Sequence, residues 1–257
     1  MRVALIGYGR MGRMVAECVA EREGMEIAGI VDVPGLFQGC LPEDAAPSRD
    51  FEKNPLLSLR DVETPDVAID FSYPGDLDDV LNAAVTHNIP LVIGRTGLDA
   101  AQEAKIASAA KAVPIVWSNN FSLGVAVMRR LVWGAAAALG MAFDVEIVEA
   151  HHKQKLDAPS GTVKILLSAI DPDGSRPVLY GREGAGQKRG GEIGVHALRG
   201  GTVCGEHSVH FYGDMEELTI THRADSRRIF AAGALRAAEF AVKQPPGLYD
   251  MERVLFG

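Results

Sequence analysis

Between residues 151 and 162 the chain reads HHKQKLDAPSGT, a stretch that gathers what is needed to seize and protonate a small dianion. Five potentially cationic side chains, His151, His152, Lys153, Lys155 and Lys164, lie in or just beyond it against one acid, Asp157, in a chain whose formal net charge is -8. The positive charge is therefore local. Asp157, Pro159 and Ser160 read as a turn into a helix capped by Ser160, with the N–H groups of Gly161 and Thr162 at the positive end of its dipole. Such an end binds carboxylates or phosphates. Gly161 lets an anion approach the backbone, and the hydroxyls of Ser160 and Thr162 add donors. A histidine suits proton delivery near neutral pH, and Lys155 supplies a point charge for a carboxylate or imine that could share the proton step.

A metal is the rival reading of Glu149, His151 and His152. Alternation along a strand would send His151 and His152 to opposite faces, and no cysteine or second histidine pair lies at ligand spacing. No metal is assigned. His207, His210 and His222 fall in expected strands and read as hydrogen-bonded structural histidines. Arg223, Arg227 and Arg228 read as a solvated or interdomain cluster, Trp117 and Trp133 as core, and Glu206 and Glu217 as residues that fix loops or subunit contacts.

These groups need elements to position them, and the N-terminus supplies the clearest. An apolar strand, Val3 to Gly7, runs into GYGRMG, then a helix from Arg10 to Glu21, then a strand from Glu26 to Asp32; Asp32 stands 20 residues after Gly12. This is the dinucleotide-binding pattern: Gly7 makes the turn, Gly9 admits the pyrophosphate, Gly12 packs the helix and Asp32 takes the adenosine ribose. Strands at Val67 to Ser72, Leu91 to Gly94 and Ile115 to Trp117 alternate with helices at Leu77 to Thr86 and Ala100 to Lys111, which makes a parallel sheet. The segments that follow those strands, residues 71–74, 94–97 and 118–121, are the expected cofactor wall. Beyond Phe121 the pattern changes to a helix (Gly124 to Leu139), a strand (Asp144 to His152), a helix (Gly161 to Ile170) and three strands (Glu192 to Arg199, Val203 to Tyr212, Glu216 to His222) forming an open sheet with one covered face. Residues 181–201 hold eight glycines in 21 positions and read as a mobile lid or a plain solvated connection. The last helix, Ser226 to Lys243, is expected to return to the first domain.

The whole chain sets bounds. Its 257 residues, 47% of them hydrophobic, suffice for one large or two smaller domains. No charge-free apolar run of about 18 residues stands out, so no membrane partner is expected, and the start of the chain has no signal-peptide pattern. Cys18, Cys40 and Cys204 suggest neither a disulfide framework nor zinc and fit a reduced cytoplasm. An acidic chain with 6% aromatics has no footprint for nucleic acid.

With the glycine pattern followed by GRTG, SNNFSLGV, EAHHKQKLDAPSGT, GEHSVHF and ELTITHRADSRRIFAAGAL, the chain resembles the dihydrodipicolinate (4-hydroxy-tetrahydrodipicolinate) reductase family over nearly its full length. The signature E-x-HH-x-x-K-x-DAPSGT carries the likeness. The resemblance implies an α/β fold: a Rossmann domain formed by 1–121 and 231–257, and an α+β substrate and tetramerisation domain with an open mixed sheet, 122–230. It implies reduction of a cyclic imine dicarboxylate by NADH or NADPH in the diaminopimelate route to lysine, and a homotetramer built through the open sheet. It makes His151 and Lys155 the proton-handling residues and His152, Ser160, Gly161 and Thr162 the substrate contacts. The cofactor contacts would be Gly7, Tyr8, Gly9, Arg10, Met11, Gly12, Asp32, Gly94, Arg95, Thr96, Ser118, Asn119, Asn120 and Phe121. Two departures stand out: Arg95 replaces the family's usual threonine, and Val33 follows Asp32 where an arginine could pair with a 2′-phosphate. Asp32 followed by an apolar residue favours NADH, while Arg10 in the glycine loop leaves discrimination incomplete. The two chain crossings, near Ser122-Leu123 and Arg228, are the expected hinge. The alternatives are a nicotinamide dehydrogenase of another small amino acid or polyol, and a nucleotide-sensing protein without turnover.

Overall fold

The computed structural model describes residues 1–32, 56–72, 77–185 and 188–257; the expectations placed on Val33, Cys40, Tyr73, Pro74 and the middle of the glycine-rich segment fall outside these. The chain divides into one unit of Met1–Ser122 with Arg228–Gly257 and a second of Leu123–Arg227. The first unit contains β1 (Arg2–Ile6), α1 (Arg10–Ala20), β2 (Glu26–Val31), β3 (Val67–Asp70), α2 (Leu77–His87), β4 (Leu91–Ile93), α3 (Ala100–Ala109) and β5 (Pro114–Trp117). The second contains α4 (Leu123–Leu139), β6 (Asp144–His151), α5 (Gly161–Ile170), β7 (Val178–Tyr180), β8 (Ile193–Arg199), β9 (Gly205–Tyr212) and β10 (Glu217–Ala224). The chain then returns to the first unit as α6 (Arg228–Ala241), β11 (Gly247–Tyr249) and α7 (Met251–Phe256).

In the first unit six strands stand in the order β11-β5-β4-β3-β1-β2, every neighbouring pair parallel. Such strands are covered on both faces, which is why they read as unbroken apolar runs such as Val67–Ile69 and Leu91–Ile93. Their carboxyl ends bring Gly7, Asp32, Phe71, Gly94 and Ser118 to one edge. α6 crosses the end of β5 so closely that a Cβ on Gly233 would stand 1.7 Å from the Phe121 carbonyl oxygen. Ion pairs from Arg22 to Glu239 (2.9 Å) and from Arg228 to Glu17 (3.1 Å) tie α6 to α1.

The second unit holds a mixed sheet in the order β10-β9-β6-β8-β7, with β6 parallel to β8 and antiparallel to β9. Its covered face is apolar at one end: Val145, Ile147, Ile193, Val195, Val209 and Phe211 are buried against α4 and α5. Strand alternation carries that same face onward to Glu149 and His151 on β6, Arg199 on β8 and Gly205 and His207 on β9. The site is thus an extension of the core.

Several expectations change. β7, β11 and α7 are short elements that the sequence pattern does not announce. The strand from Ile193 to Arg199 agrees with the one expected from Glu192, so only the earlier part of the glycine-rich segment remains for a lid or a plain solvated connection. Arg182 pairs with Glu146 and Glu192 at 3.0 and 2.9 Å, and Arg189 pairs with Glu146 and with Asp144, so the described parts of that loop are tied to β6. Trp133 is 56% exposed, because α4 turns Val125, Met128 and Val132 inward and the next residue falls off that face; Trp117 packs partly buried on the first core. Leu123–Ala142, α4 with its short extension, is long and apolar enough by length and composition to cross a membrane, though it is not a charge-free run. Arg129 and Arg130 interrupt it, and one face packs on the sheet of its own unit.

Candidate active site

The last turns of three strands build the site. Glu149 is fully buried and His151 is 9% exposed, two residues apart on β6 and therefore on one face. The His151 Nδ1 bonds the Glu149 Oε2. Glu149 Oε1 accepts from Arg199 Nη2 at 2.8 Å and from the Ser160 backbone N–H at 3.3 Å. The same Arg199 nitrogen donates to the Asp157 carbonyl at 2.6 Å, joining the strand ends to the turn before α5. Opposite His151 stands Gly205, where a Cβ would come within 3.2 Å of the His151 Nε2; glycine keeps that nitrogen uncrowded. The ring of His207 lies edge-on to that of His151, centroids 5.1 Å apart.

α5 begins at Gly161 with Ser160 as its cap. The Val163 N–H donates to the Ser160 Oγ at 3.4 Å, and that oxygen also hydrogen-bonds the His207 Nε2 at 3.1 Å. Ser160 thus serves the helix start, and whether its hydroxyl donates to His207 or accepts from it follows the tautomer of that histidine. Thr162 is buried as well. What the helix presents is the backbone at exposed Gly161, where nothing lies within 4 Å of a would-be Cβ.

Electrostatics follow from this packing. Burial pushes the Glu149 carboxyl up, but hydrogen bonds from Arg199 and His151 outweigh it and hold it below its ordinary value. Burial likewise lowers His151, against the pull of Glu149 and with help from Lys155 and Arg199. Before a ligand arrives the pair is a carboxylate beside a neutral imidazole. Desolvation does most to keep it so, and Lys155 and Arg199 add to it. Burial also takes His207 down to about 4.

The remaining expected contacts divide. Lys155 is 2.8 Å from Asp157, and its hydrogen bond lowers the Asp157 carboxyl; Lys153 and Lys164 are exposed. His152 turns away from His151 and accepts from Arg227 Nη2 at 3.1 Å. Arg227 thus pairs with His152, where the sequence reads as a solvated or interdomain cluster. Glu149, Arg199, Gly205 and His207 were not foreseen as site residues. Alternation would have paired Glu149 with His151, but the contributions of β8 and β9 depend on a register no short motif carries. Among the described residues, Glu149, His151 and His207 are the group with metal-like spacing, their ligand atoms within 4.8 Å of one another. A dication there would face the Arg199 guanidinium already bonded to Glu149, so the arrangement suits proton handling better.

The first unit has the features of a dinucleotide site. Gly7 has φ +83°, a conformation glycine adopts freely, and a Cβ on Gly12 would stand 2.1 Å from the Gly7 carbonyl oxygen. Gly9 is exposed with nothing within 4 Å of its would-be Cβ. α1 starts there with no side-chain cap and no acid in its first turn, so the first-turn N–H groups at Arg10, Met11 and Gly12 suit a phosphate. Asp32 Oδ2 accepts the Tyr8 N–H at 2.6 Å, which holds the carboxylate beside the glycine loop. These residues fit a dinucleotide. The Tyr8 and Phe121 side chains are buried and leave only backbone for contact. Ser118 Oγ donates to the Asn120 carbonyl and accepts its N–H, at 2.7 and 3.1 Å, fixing the turn that exposes Asn119. Thr96 is exposed, but Arg95 turns inward to a fully buried Asp70, Nε to Oδ2 2.7 Å. Its side chain is a structural partner.

Comparison with known proteins agrees over the full length. The chain matches the family models described as dihydrodipicolinate reductase, N-terminus, over residues 1–121 and dihydrodipicolinate reductase, C-terminus, over residues 124–255. It is 43% identical to the 4-hydroxy-tetrahydrodipicolinate reductase of Methanocorpusculum labreanum over 258 residues, covering 99% of each chain. With that of Rubrobacter xylanophilus it shares 43% identity over 267 residues, 99% of this chain and 98% of the relative. Among solved structures, dipicolinate-bound dihydrodipicolinate reductase from Paenisporosarcina sp. superposes with a TM-score of 0.78 at 24% identity over 98% of both chains. A myo-inositol dehydrogenase from Corynebacterium glutamicum does so with a TM-score of 0.59 at 17% identity, covering 96% of this chain and 90% of that one.

Proposed function

The chain belongs to the dihydrodipicolinate reductase family, a membership that implies a nicotinamide cofactor, and we propose that it reduces 4-hydroxy-tetrahydrodipicolinate to tetrahydrodipicolinate, with loss of water, in lysine biosynthesis. The observation that carries the reading is the buried Glu149–His151 pair beside the Ser160-capped start of α5, a proton-handling group next to an anion-binding helix end. The nicotinamide, when bound, supplies a hydride. Gly161 and Thr162 hold one substrate carboxylate through their backbone N–H groups, and the Lys155 ammonium, exchanging Asp157 for substrate, attracts the dianion and assists the proton step. His152 contacts the substrate with Arg227 behind it. His151 gives its proton to the carbon that gains electron density. A bound dianion favours the imidazolium, so the substrate loads the acid that it needs.

On the cofactor side, the loop from Gly7 to Gly12 takes the pyrophosphate, Asp32 the adenosine ribose, and the backbone of Gly94, Thr96 and residues 118–121 the rest. The Arg95 side chain is taken up by Asp70, which leaves its backbone for such a contact. The Asp32 carboxylate disfavours a 2′-phosphate and exposed Arg10 partly offsets it, so NADH is preferred without excluding NADPH. We further propose a homotetramer in the cytoplasm, formed through the outer face of the second sheet; a size measurement by light scattering checks it.

A coupled assay with freshly generated substrate, run with each nucleotide separately, tests the activity. His151→Gln should abolish most turnover while NADH binding stays. A nucleotide sensor would show no turnover to lose, and an unrelated dehydrogenase would leave this substrate untouched.

A further inference from the structure

Catalysis by His151 leaves three groups around it without a part: buried Glu149 and His207 and half-buried Arg199. Their arrangement is specific. Glu149 meets the Nδ1 of His151 with one oxygen and receives Arg199 (2.8 Å) and the Ser160 N–H (3.3 Å) on the other. Arg199 sits on β8 directly across from His151 in the parallel register, and its remaining Nε is buried with no partner. The guanidinium leaves one of its own donors unsatisfied while Nη2 reaches the carboxylate and the turn carbonyl and Nη1 donates to the Leu198 carbonyl at 2.7 Å, and these bonds hold it there.

Building on the reductase reading above, we propose that Glu149 and Arg199 are positioning residues for the proton step. The Glu149 carboxylate takes the Nδ1–H and thereby makes Nε2 the atom that carries the catalytic proton; Arg199 holds that carboxylate ionised and ties it to the turn bearing Lys155. In the step itself, hydride adds to the conjugated substrate and its electron density moves to the neighbouring carbon. The Nε2–H bond then breaks as the C–H bond forms, leaving a neutral imidazole still bonded through Nδ1–H to Glu149. Solvent returns the proton. Gly205, facing Nε2, leaves room for the substrate carbon.

The charged groups around His151 define the test. Glu149 on its own strand favours the imidazolium, whereas Arg199 from β8 and Lys155 from the following loop disfavour it; His207 from β9, held at about 4, faces it uncharged, with His222 behind it on β10. Asp157, paired with Lys155, offsets that lysine, and α5 contributes only the uncharged Ser160 and Thr162 at this point. Glu149→Gln removes the favourable charge, so kcat/KM should fall about tenfold at about pH 8.5 and much less at about pH 5.5, as its alkaline limb moves toward acid. Arg199→Met should move the same limb the other way. A purely structural role would depress both variants equally at every pH with the limb fixed, and that result overturns the proposal. NADH binding and melting temperature serve as folding controls.

Should the variants fail to fold, the unsubstituted protein still decides. The 15N shifts of the His151 ring at about pH 8 should report Nδ1–H and a bare Nε2. The opposite tautomer overturns the assignment. If the unsubstituted protein does not reduce the substrate at all, the reductase reading has failed; if it does and the limb does not move, only the positioning roles fail.

Discussion

A cation folded onto a fully buried acid cannot be removed by itself without leaving that acid in the core short of its partner. Asp70 lies at the end of β3 with no exposed surface, bonded to Arg95 at 2.7 Å and to the Ser72 N–H and hydroxyl at 2.9 and 2.7 Å. Arg95→Thr, which restores the residue usual in the family, should therefore destabilise this chain by about 3 to 5 kcal/mol. Asp70→Asn combined with Arg95→Thr should recover part of that loss. Urea denaturation of the two variants checks it; equal losses would mean that the pair is not coupled. The position was legible as a departure, but its meaning was not, because the turn Gly94-Arg95-Thr96 says nothing of a partner 25 residues earlier. Glu149 poses the same difficulty in another form. Its spacing to His151 is visible in the sequence, whereas its bond to Arg199, 50 residues away, exists only through the parallel pairing of β6 with β8.

Elements were more readable than their contents. The start of α5 follows from Ser160 and Gly161, and the βαβ pattern at the N-terminus from glycine spacing and apolar runs, because local stereochemistry decides both. β7, β11 and α7 span three, three and six residues, too short for periodicity to register; the two strands exist because a neighbour offers hydrogen bonds. By glycine content residues 181–201 read as either a mobile lid or a plain solvated connection; Arg182 and Arg189 fasten the described parts of the segment to Glu146 and Glu192. The cap of α5 gives a test at this scale. Ser160→Ala removes the oxygen shared by Val163 and His207, which should cost about 1 kcal/mol of stability and weaken substrate binding through a loosened helix start. Ser160→Thr, which keeps that oxygen, should retain most of both. Thermal melts together with KM values for the two variants separate the effects, and an alanine variant with unchanged KM would detach the cap from the anion site.

For the whole molecule the buried histidines and the paired carboxylates set two adjoining acid limits. His207 has an ordinary value of 6.5 and is held at about 4 by burial, with the charge of neighbouring His151 adding to it. Between those values the unfolded chain binds a proton there that the folded chain does not, so stability rises with pH across this window and is lost as pH falls. His151 and His222, also lowered mainly by burial, push in the same direction. The lowered carboxylates act below it: Glu149, Glu146 and Glu192, the last at about 2, contribute stability that is present above their unfolded values and disappears only as acid reaches their folded ones. The first part of acid unfolding should therefore belong to histidine and the second to carboxylate. His207→Gln keeps a hydrogen-bonding partner for Ser160 but cannot titrate, so it should flatten the loss between about pH 6.5 and pH 4 by about 3 kcal/mol, the worth of the His207 displacement, while leaving the steeper fall below it in place. Unfolding free energy measured against pH for the two proteins decides the matter. Parallel curves through the upper window would show that His207 is protonated in the folded protein as readily as in water, and the packing of Ser160, His151 and His207 described above could not then be the one that the protein holds in solution.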